Sequence, residues 1–134
     1  MVDLALETGL TGLIATNTTI LRDNLKTDAE YVRSLGAGGI SGAPVAQRSL
    51  EVLHRIYARA QGKLVLVSVG GIETPQQAWE RIGAGANLLQ GYTALIYGGP
   101  DWIRDIHRGI SEQLTRHGVK TLADAVGKSL PWID

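Results

Sequence analysis

The sequence contains no cysteine and no phenylalanine, and it has only one methionine. The absence of cysteine excludes disulfide bonds, thiolate metal sites and a cysteine nucleophile. Acidic and basic residues balance, with 13 of each, so the chain lacks the positive excess that is typical of nucleic-acid-binding domains. No apolar run reaches the roughly 18 residues that a membrane-spanning helix needs. We therefore expect neither a nucleic-acid interface nor a transmembrane segment.

Few side chains suggest catalysis. The histidines His54, His107 and His117 lack the spacing of metal ligands, and we expect them at helix surfaces or helix ends. Ser41 lies in a glycine loop, but the surrounding Gly39-Ile40-Ser41-Gly42-Ala43 is not the Gly-x-Ser-x-Gly elbow, and no His or Asp is placed to activate its hydroxyl. The sequence therefore predicts no metal site and no catalytic residue.

A strand, a glycine turn and a helix start follow one another in the middle of the chain. Residues 64–69 form a nearly continuous aliphatic run, which predicts a parallel strand buried on both faces. Gly70 and Gly71 end the run, and glycine there permits positive φ and close approach of a ligand to the main chain. Thr74 and Gln77 have the spacing of a capping box, which predicts the start of a helix.

The same order of elements recurs in both directions. Residues 12–16 predict a strand that breaks into a polar cluster, and residues 87–92 predict another strand. An amphipathic helix is expected over residues 49–61, and residues 2–7 predict the end of a helix before the first strand. A last long helix follows Gly98-Gly99-Pro100 and ends near Gly118, with an inner face formed by Ile103, Ile106, Ile110 and Leu114.

These elements predict an α/β fold with three to four βα units and parallel strands. A complete (β/α)8 barrel takes about 250 residues, so 134 residues correspond to about half of one. Three parallel strands cannot close a barrel, and they leave two unpaired edges and an uncovered apolar face. We expect either the missing N-terminal half or a second copy to cover them. A small open three-layer α/β domain is the alternative.

Four motifs resemble the C-terminal half of a dihydroorotate dehydrogenase, in the same order and spacing. They are Ile14–Thr19 (IATNTT), Gly38–Pro44 (GGISGAP), Val69–Ile72 (VGGI) and Gly85–Leu95 (GANLLQGYTAL). The first two are most similar to those of the class 2 enzymes, which are quinone-reducing and membrane-associated. The resemblance implies that residues 1–134 form the C-terminal part of a TIM (β/α)8 barrel that binds FMN.

The resemblance also implies an activity. Enzymes of this family are oxidoreductases of pyrimidine (UMP) biosynthesis that oxidise dihydroorotate to orotate, and the class 2 members use quinone as electron acceptor. It implies a parent enzyme that is peripheral on an inner membrane, with a quinone site outside this chain. The family's catalytic serine and flavin-contacting lysine fall upstream of Met1, so we expect the isolated chain to be inactive, and either soluble or prone to aggregation.

Three residues match the family's flavin-phosphate motif. The main chain of Gly71, Tyr92 and Thr93 would hold the phosphate through N–H groups, helped by the Thr93 hydroxyl and the start of the next helix. No charged side chain is needed for these contacts. The carboxyl ends of the last two barrel strands are also where such folds commonly bind phosphate.

Four further residues match positions around the flavin ring and the pyrimidine. Thr16 and Gly42 would contact FMN, whereas Asn17 and Thr18 would hydrogen-bond dihydroorotate or orotate, because an amide and a hydroxyl offer both donors and acceptors. The alternative for the polar cluster is a turn that satisfies its own backbone. The alternative for Gly42 is an ordinary loop glycine.

Two other functions stay open at this point. A non-catalytic half-barrel could pair with itself across a two-fold interface, and the oligomeric state in solution would reveal it. A different FMN-binding or phosphate-binding barrel enzyme would have an equally good glycine turn. Binding of orotate to Asn17 and Thr18 would distinguish the second alternative.

Overall fold

The computed structural model describes all 134 residues and is built around a sheet of three parallel strands. The strands are β1 (Gly12–Ala15), β2 (Val65–Val69) and β3 (Leu88–Gln90), in the spatial order β1-β2-β3. β3 is shorter than the predicted 87–92, because Tyr92 already caps the next helix. The predicted α/β fold with parallel strands is confirmed.

Six α-helices accompany the strands, and a single turn of 3-10 helix (Ala43–Val45) leads into the third of them. The helices are α1 (Val2–Glu7), α2 (Ala29–Ser34), α3 (Ala46–Ala60), α4 (Pro75–Gly83), α5 (Thr93–Arg116) and α6 (Leu122–Ala125). α3 precedes β2, α4 connects β2 to β3, and α5 follows β3, which is the predicted βα order. The sequence patterns above do not predict α2 or α6.

The core lies between the helices and one face of the sheet. Leu53 of α3 is buried against Leu66 of β2 and Ala86, which precedes β3. Trp79 and Ile82 of α4 form a second buried cluster, which α5 and α6 cover. The helices therefore hold the three strands from one side only.

The prediction that β2 is buried on both faces is wrong. Leu66 and Ser68 lie beneath the helices and are 2% and 0% exposed, whereas Val65 on the opposite face is 39% exposed. Ile14 and Leu88 share that opposite face in the parallel ladder and are 67% and 57% exposed. In a closed barrel, inward side chains from all strands would fill this space, but three strands leave it open. The uncovered apolar face that we expected is thus present.

One helix begins earlier than the sequence indicates, and the predicted start of another at Gly98-Gly99-Pro100 is a break within a longer helix. α3 begins at Ala46 instead of residue 49, directly after the 3-10 turn. α5 begins at Thr93, and Gly99, with φ 64° and ψ −164°, divides it into a short first part and a long second part. Ile103 was expected on the inner face but is 43% exposed, whereas Ile106 is buried. Ile103 nevertheless lines one groove beside β3 together with Ile106, Ile110 and Leu114.

The connection between β2 and α4 has the predicted strand, turn and helix. The Thr74 hydroxyl accepts a hydrogen bond from the Gln77 N–H at 3.2 Å, and Gln77 Oε1 accepts one from the Thr74 N–H at 3.0 Å. Gly70 and Gly71 have φ angles of 118° and 68°, a region that favours glycine. The capping box therefore fixes where the glycine turn ends.

The C-terminal residues have no regular secondary structure and are held by side chains of α4 and α5. The Trp79 indole N–H donates to the Leu130 carbonyl at 2.8 Å. The Gln113 amide donates to the Ile133 carbonyl at 2.6 Å and accepts from its N–H at 3.0 Å. The His117 ring, at the end of α5, stacks on Trp79 with 5.7 Å between ring centroids. His117 thus has a place in the packing of the C-terminal segment.

The other two histidines, His54 and His107, are exposed on helices. No three His, Asp or Glu side chains lie close enough together to hold a metal ion. None of the helices combines the length and the apolar character needed to cross a bilayer.

Candidate functional site

A cavity of about 500 Å³ opens where the three strands end. Its wall contains residues that directly follow β1, β2 and β3, together with the loop before α3. All seven residues predicted to bind a cofactor or a substrate line this cavity: Thr16, Asn17, Thr18, Gly42, Gly71, Tyr92 and Thr93. The structure therefore brings them together, and the role of each one stays a prediction.

Several main-chain N–H groups of the cavity have no acceptor within the chain. They include those of Gly71, Tyr92 and Thr93, whereas the amides of Glu73 and Thr74 donate to Gln77 Oε1 at 2.8 Å and 3.0 Å. Unpaired amides at a glycine turn and at a helix start are suited to bind an anion. The three free donors come from the ends of two neighbouring strands, so one ligand could use them together.

Close packing explains why glycine occupies position 71. A Cβ atom there would lie 2.6 Å from Cα of Ala46, the first residue of α3, and the residue also has positive φ. At Gly70 a Cβ atom would lie 3.1 Å from Cβ of Ser49. Of the two glycine turns, defined here as residues 70–73 and 91–94, the first is thus packed against α3, and both border the cavity.

Gly42 has a structural reason that the sequence analysis did not identify. Its φ is 74°, and a Cβ atom there would lie 3.0 Å from Cγ2 of Thr93. The Thr93 hydroxyl also donates to the Ser41 hydroxyl at 2.9 Å. The loop before α3 therefore packs on the start of α5. This contact accounts for the glycine without a flavin, and cofactor contact at Gly42 stays a prediction.

Ser41 has no partner that could activate it. Its hydroxyl is exposed and is bonded only to Thr93, and no histidine or carboxylate hydrogen-bonds to it. A serine needs a neighbouring base to act as a nucleophile. The geometry therefore agrees with the expectation that Ser41 is not one.

The end of β1 is joined to the glycine turn after β2. The Thr16 N–H donates to the Val69 carbonyl at 2.8 Å, which continues the parallel pairing by one residue beyond the strand. Thr16 is half-buried, whereas Asn17 and Thr18 are exposed. Thr16, where the polar cluster begins, is thus still paired with β2, whereas the next two residues lie outside the sheet.

Asn17 and Thr18 make mostly local contacts. The Asn17 side-chain oxygen accepts from the Thr18 N–H at 2.7 Å, as expected for a turn that satisfies its own backbone. Thr19 pairs with Ile40 in an isolated antiparallel bridge, with N···O distances of 2.9 Å and 2.7 Å. The amide nitrogen of Asn17 has no partner in the chain and lies at the cavity wall. This geometry is therefore compatible with ligand contact by Asn17 and Thr18 and also with a turn that only satisfies its own backbone.

Arg81 is a buried residue behind the glycine turns that sequence reasoning missed. It lies on α4 and is 2% exposed. Its guanidinium donates to the Gly70 carbonyl at 3.1 Å, the Ala46 carbonyl at 2.6 Å and the Ser49 hydroxyl at 2.7 Å. Burial lowers the pKa of Arg81 from its ordinary value, although an arginine stays charged in a protein. A positive charge thus lies beneath the turn.

One signal in the sequence could have identified Arg81. Position 81 falls three residues after Ala78 and directly before Ile82, so it lies on the buried stripe of α4. A charged residue on such a stripe usually has a buried partner. Its acceptors are main-chain carbonyls and serine hydroxyls, which no charge pattern reveals.

The cavity carries little charge of its own. Its only ionisable lining side chains are those of Glu73 and Tyr92, and both are exposed. Main-chain donors, hydroxyls and one amide therefore dominate its chemistry. Such a set can bind an anionic group at one end and orient a polar ring at the other.

Comparison with known proteins gives one consistent result. A model of a family described as dihydroorotate dehydrogenase matches residues 1–114. A dihydroorotate dehydrogenase (quinone) from Corynebacterium efficiens is 64% identical over 98% of this chain, which corresponds to 35% of that relative. One of the same name from Nocardia farcinica is 64% identical over 93% of this chain and 34% of its own length.

A solved structure supports the same fold. The crystal structure of DHODH from Eimeria tenella in complex with ferulenol superposes with a TM-score of 0.85 and 38% sequence identity. The superposition covers 95% of this chain and 33% of that one. The chain thus spans about a third of the length of the curated relatives and of the solved neighbour that it matches.

Proposed function

This chain belongs to the dihydroorotate dehydrogenase family, and from that premise we propose that it supplies the binding site for the flavin phosphate and part of the substrate site of a quinone-dependent dihydroorotate dehydrogenase. The parent reaction would be oxidation of dihydroorotate to orotate in pyrimidine biosynthesis. The observation that carries the proposal is the convergence of three unpaired amides and the Asn17-Thr18 cluster on one cavity.

The residues of the cavity fit FMN. The free N–H groups of Gly71, Tyr92 and Thr93 suit a phosphate, since main-chain donors at a helix start bind phosphate without a charged side chain. Gly71 cannot carry a Cβ without meeting Ala46, so the main chain itself forms this part of the wall. Thr16 would contact the same cofactor from the end of β1.

Asn17 and Thr18 would orient the pyrimidine. Dihydroorotate and orotate present ring N–H donors and carbonyl acceptors, and the free Asn17 amide nitrogen and the Thr18 hydroxyl can complement them. Because Asn17 makes only short-range contacts in this structure, it can turn towards a ligand at little cost. Thr19 holds the cluster in place through its bridge to Ile40.

FMN, when bound, supplies a ring that takes up the two electrons removed from dihydroorotate and passes them on to a quinone. The residues of this chain bind and orient. The cavity lining contains no histidine, lysine or cysteine, its one carboxylate is the exposed side chain of Glu73, and Ser41 hydrogen-bonds only Thr93. We therefore expect the 134-residue chain alone not to turn over dihydroorotate with FMN and a quinone, and measurable turnover would contradict that expectation.

Comparing FMN with riboflavin tests the phosphate-binding site, because the two differ only in the phosphate. We expect the chain to bind FMN at least about tenfold more tightly, since charge-assisted bonds to amides contribute to FMN alone. Quenching of flavin fluorescence measures both affinities, and amide NMR shifts locate the contact. Equal affinities, or shifts that spare Gly71, Tyr92 and Thr93, would contradict the proposed site.

A second candidate function is self-association, and the exposed sheet face favours it. Ile14 and Leu88 are more than half exposed on that face. Contiguous apolar surface of this kind marks an interface in many proteins. If a second copy covers the face, sedimentation velocity gives a dimer at micromolar concentration, and Leu88→Lys returns the chain to a monomer. The family match argues against the other alternative from the sequence, a barrel enzyme of another family.

The quinone is named for the relatives, and a membrane is implied only by the resemblance of the sequence motifs. Those relatives are named as quinone-dependent enzymes, and we propose the same acceptor for the protein that contains this chain. A peripheral position on the inner membrane is part of the same proposal. We assign no residue of this chain to a quinone site.

A further inference from the structure

We propose that Arg81 is a positioning residue of the anion site: it fixes the Gly70-Gly71 peptide so that the Gly71 N–H is presented to the cavity, and its charge favours an anion there. The inference rests on the proposed function, since the anion would be the phosphate of FMN. Arg81 does not line the cavity, so it would act through the turn instead of touching the ligand.

The Gly70 carbonyl is held on the side of the protein interior. It accepts from the Arg81 guanidinium at 3.1 Å and from the Ser49 hydroxyl at 2.7 Å. In a planar trans peptide the C=O and the following N–H point in opposite directions. Holding the Gly70 oxygen inward therefore turns the Gly71 N–H outward, and that amide has no acceptor in the chain.

The same guanidinium connects the turn to the start of α3. It donates to the Ala46 carbonyl at 2.6 Å, and Ala46 is the residue against which Gly71 packs. Ser49 also bonds both the Ala46 and the Gly70 carbonyls, at 3.0 Å and 2.7 Å. Arg81 and Ser49 thus form one buried network that sets the distance between α3 and the turn.

The charge of Arg81 has no carboxylate partner. The structure contains five ion-pair contacts, all among exposed side chains, and Arg81 takes part in none of them. Its Nε atom is buried without an acceptor. A buried cation that is bonded only to neutral groups is costly, and an anion bound nearby lowers that cost. The unbalanced charge is therefore an independent reason to expect an anion at this turn.

The test compares binding of FMN and riboflavin to the chain with Arg81, Arg81→Lys and Arg81→Met. We expect Arg81→Met to weaken FMN at least about tenfold but riboflavin at most about twofold, because the lost charge acts on the phosphate. Arg81→Lys keeps the charge, so it should retain most of the FMN preference. Ser68→Ala is the matched control, since Ser68 is buried and contacts Arg81 at 3.4 Å but does not bond the turn.

A merely structural role would give a different result. If Arg81→Met weakens FMN and riboflavin equally, or leaves both unchanged in a folded chain, the inference is wrong. If circular dichroism shows that Arg81→Met does not fold, Arg81→Gln replaces it. The inference would then be overturned if the ratio of FMN affinity to riboflavin affinity were the same for Arg81→Gln as for Arg81→Lys. Failure of the chain with Arg81 to prefer FMN would contradict the proposed function itself, and this inference with it.

Discussion

Two regions that border the same cavity are built in opposite ways. The first glycine turn rests on a buried polar network, with Ser49, Ser68 and Arg81 between 0% and 2% exposed. The outer segment, defined as residues 17–40, contains no buried residue, and its two ends are paired with each other by the bridge between Thr19 and Ile40.

The difference shows how one site can combine rigid and adaptable parts. A phosphate is recognised by several donors at fixed positions, and these positions come from buried elements that are costly to move. A planar ring can instead be oriented by side chains that reorganise on binding. Variants in the two regions should therefore differ in their free energy of unfolding and in their affinity for each ligand.

Truncation of a core leucine should give the largest effect. Leu66 of β2, the strand that leads to the first glycine turn, is 2% exposed, whereas Leu35 in the outer segment is 65% exposed. Leu66→Ala should lower the free energy of unfolding by about 3 kcal/mol, and Leu35→Ala by less than about 0.5 kcal/mol. Urea unfolding followed by circular dichroism measures both. Similar losses for the two variants would mean that the regions do not differ in packing.

Two glycines with positive φ give the next comparison. A Cβ atom at Gly71 would lie 2.6 Å from Cα of Ala46, whereas one at Gly36 would have no neighbour within 4 Å. Gly71→Ala should cost about 2 kcal/mol or more, and Gly36→Ala about 1 kcal/mol from backbone strain alone. FMN affinity should fall only for Gly71→Ala. A loss of FMN binding in Gly36→Ala would show that the outer segment also shapes the phosphate site.

A change of substrate affinity without a change of stability is expected at Asn17. Its contacts are local and exposed, so Asn17→Ala should change the free energy of unfolding by less than about 0.5 kcal/mol. Orotate binding should weaken about tenfold, the usual loss for removal of a hydrogen bond to a polar ligand, while FMN binding stays unchanged. Calorimetric titration with orotate in the presence of FMN tests this. Gln76→Ala, exposed and outside the cavity, is the control.

The smallest effect concerns an exposed ion pair outside both regions. A hydrogen bond from Arg59, at 2.5 Å, holds the pKa of Asp3 below its ordinary value of 3.8. A carboxyl whose pKa is lower in the folded chain adds stability above its ordinary pKa and loses it as the pH falls through the folded value. The stability difference between the chain and Asp3→Asn should therefore be small above about pH 5 and shrink as the pH falls below 3.8 and through the folded pKa. Thermal unfolding against pH, with Glu7→Gln as control, would show it.

The parts that the sequence predicted are those with strong local rules. The capping box of Thr74 and Gln77 and the positive φ of Gly70 and Gly71 follow from residue chemistry over a few positions. Together they located the turn after β2. The resemblance then supplied what local rules do not, namely which loops meet at the cavity.

The parts that the sequence did not predict depend on distant partners. α2 has a local start signal, since Asp28 accepts from the Glu30 and Tyr31 amides, but it buries no residue and so lacks an apolar stripe. The half-open face of β2 follows from the number of strands, which residues 64–69 cannot report. Arg81 bonds groups 11 to 35 positions away in the sequence.

Recognition by the main chain has a consequence for how the site can vary. Any residue except proline at position 92 supplies the same N–H, and the Tyr92 side chain is 64% exposed. Position 71, where the backbone of α3 leaves no room, admits only glycine, and position 81 needs a long cation although it never reaches the cavity. At the phosphate end of the cavity the sequence constraint therefore lies behind the ligand rather than around it, and substitutions there would matter in the buried layer more than at position 92.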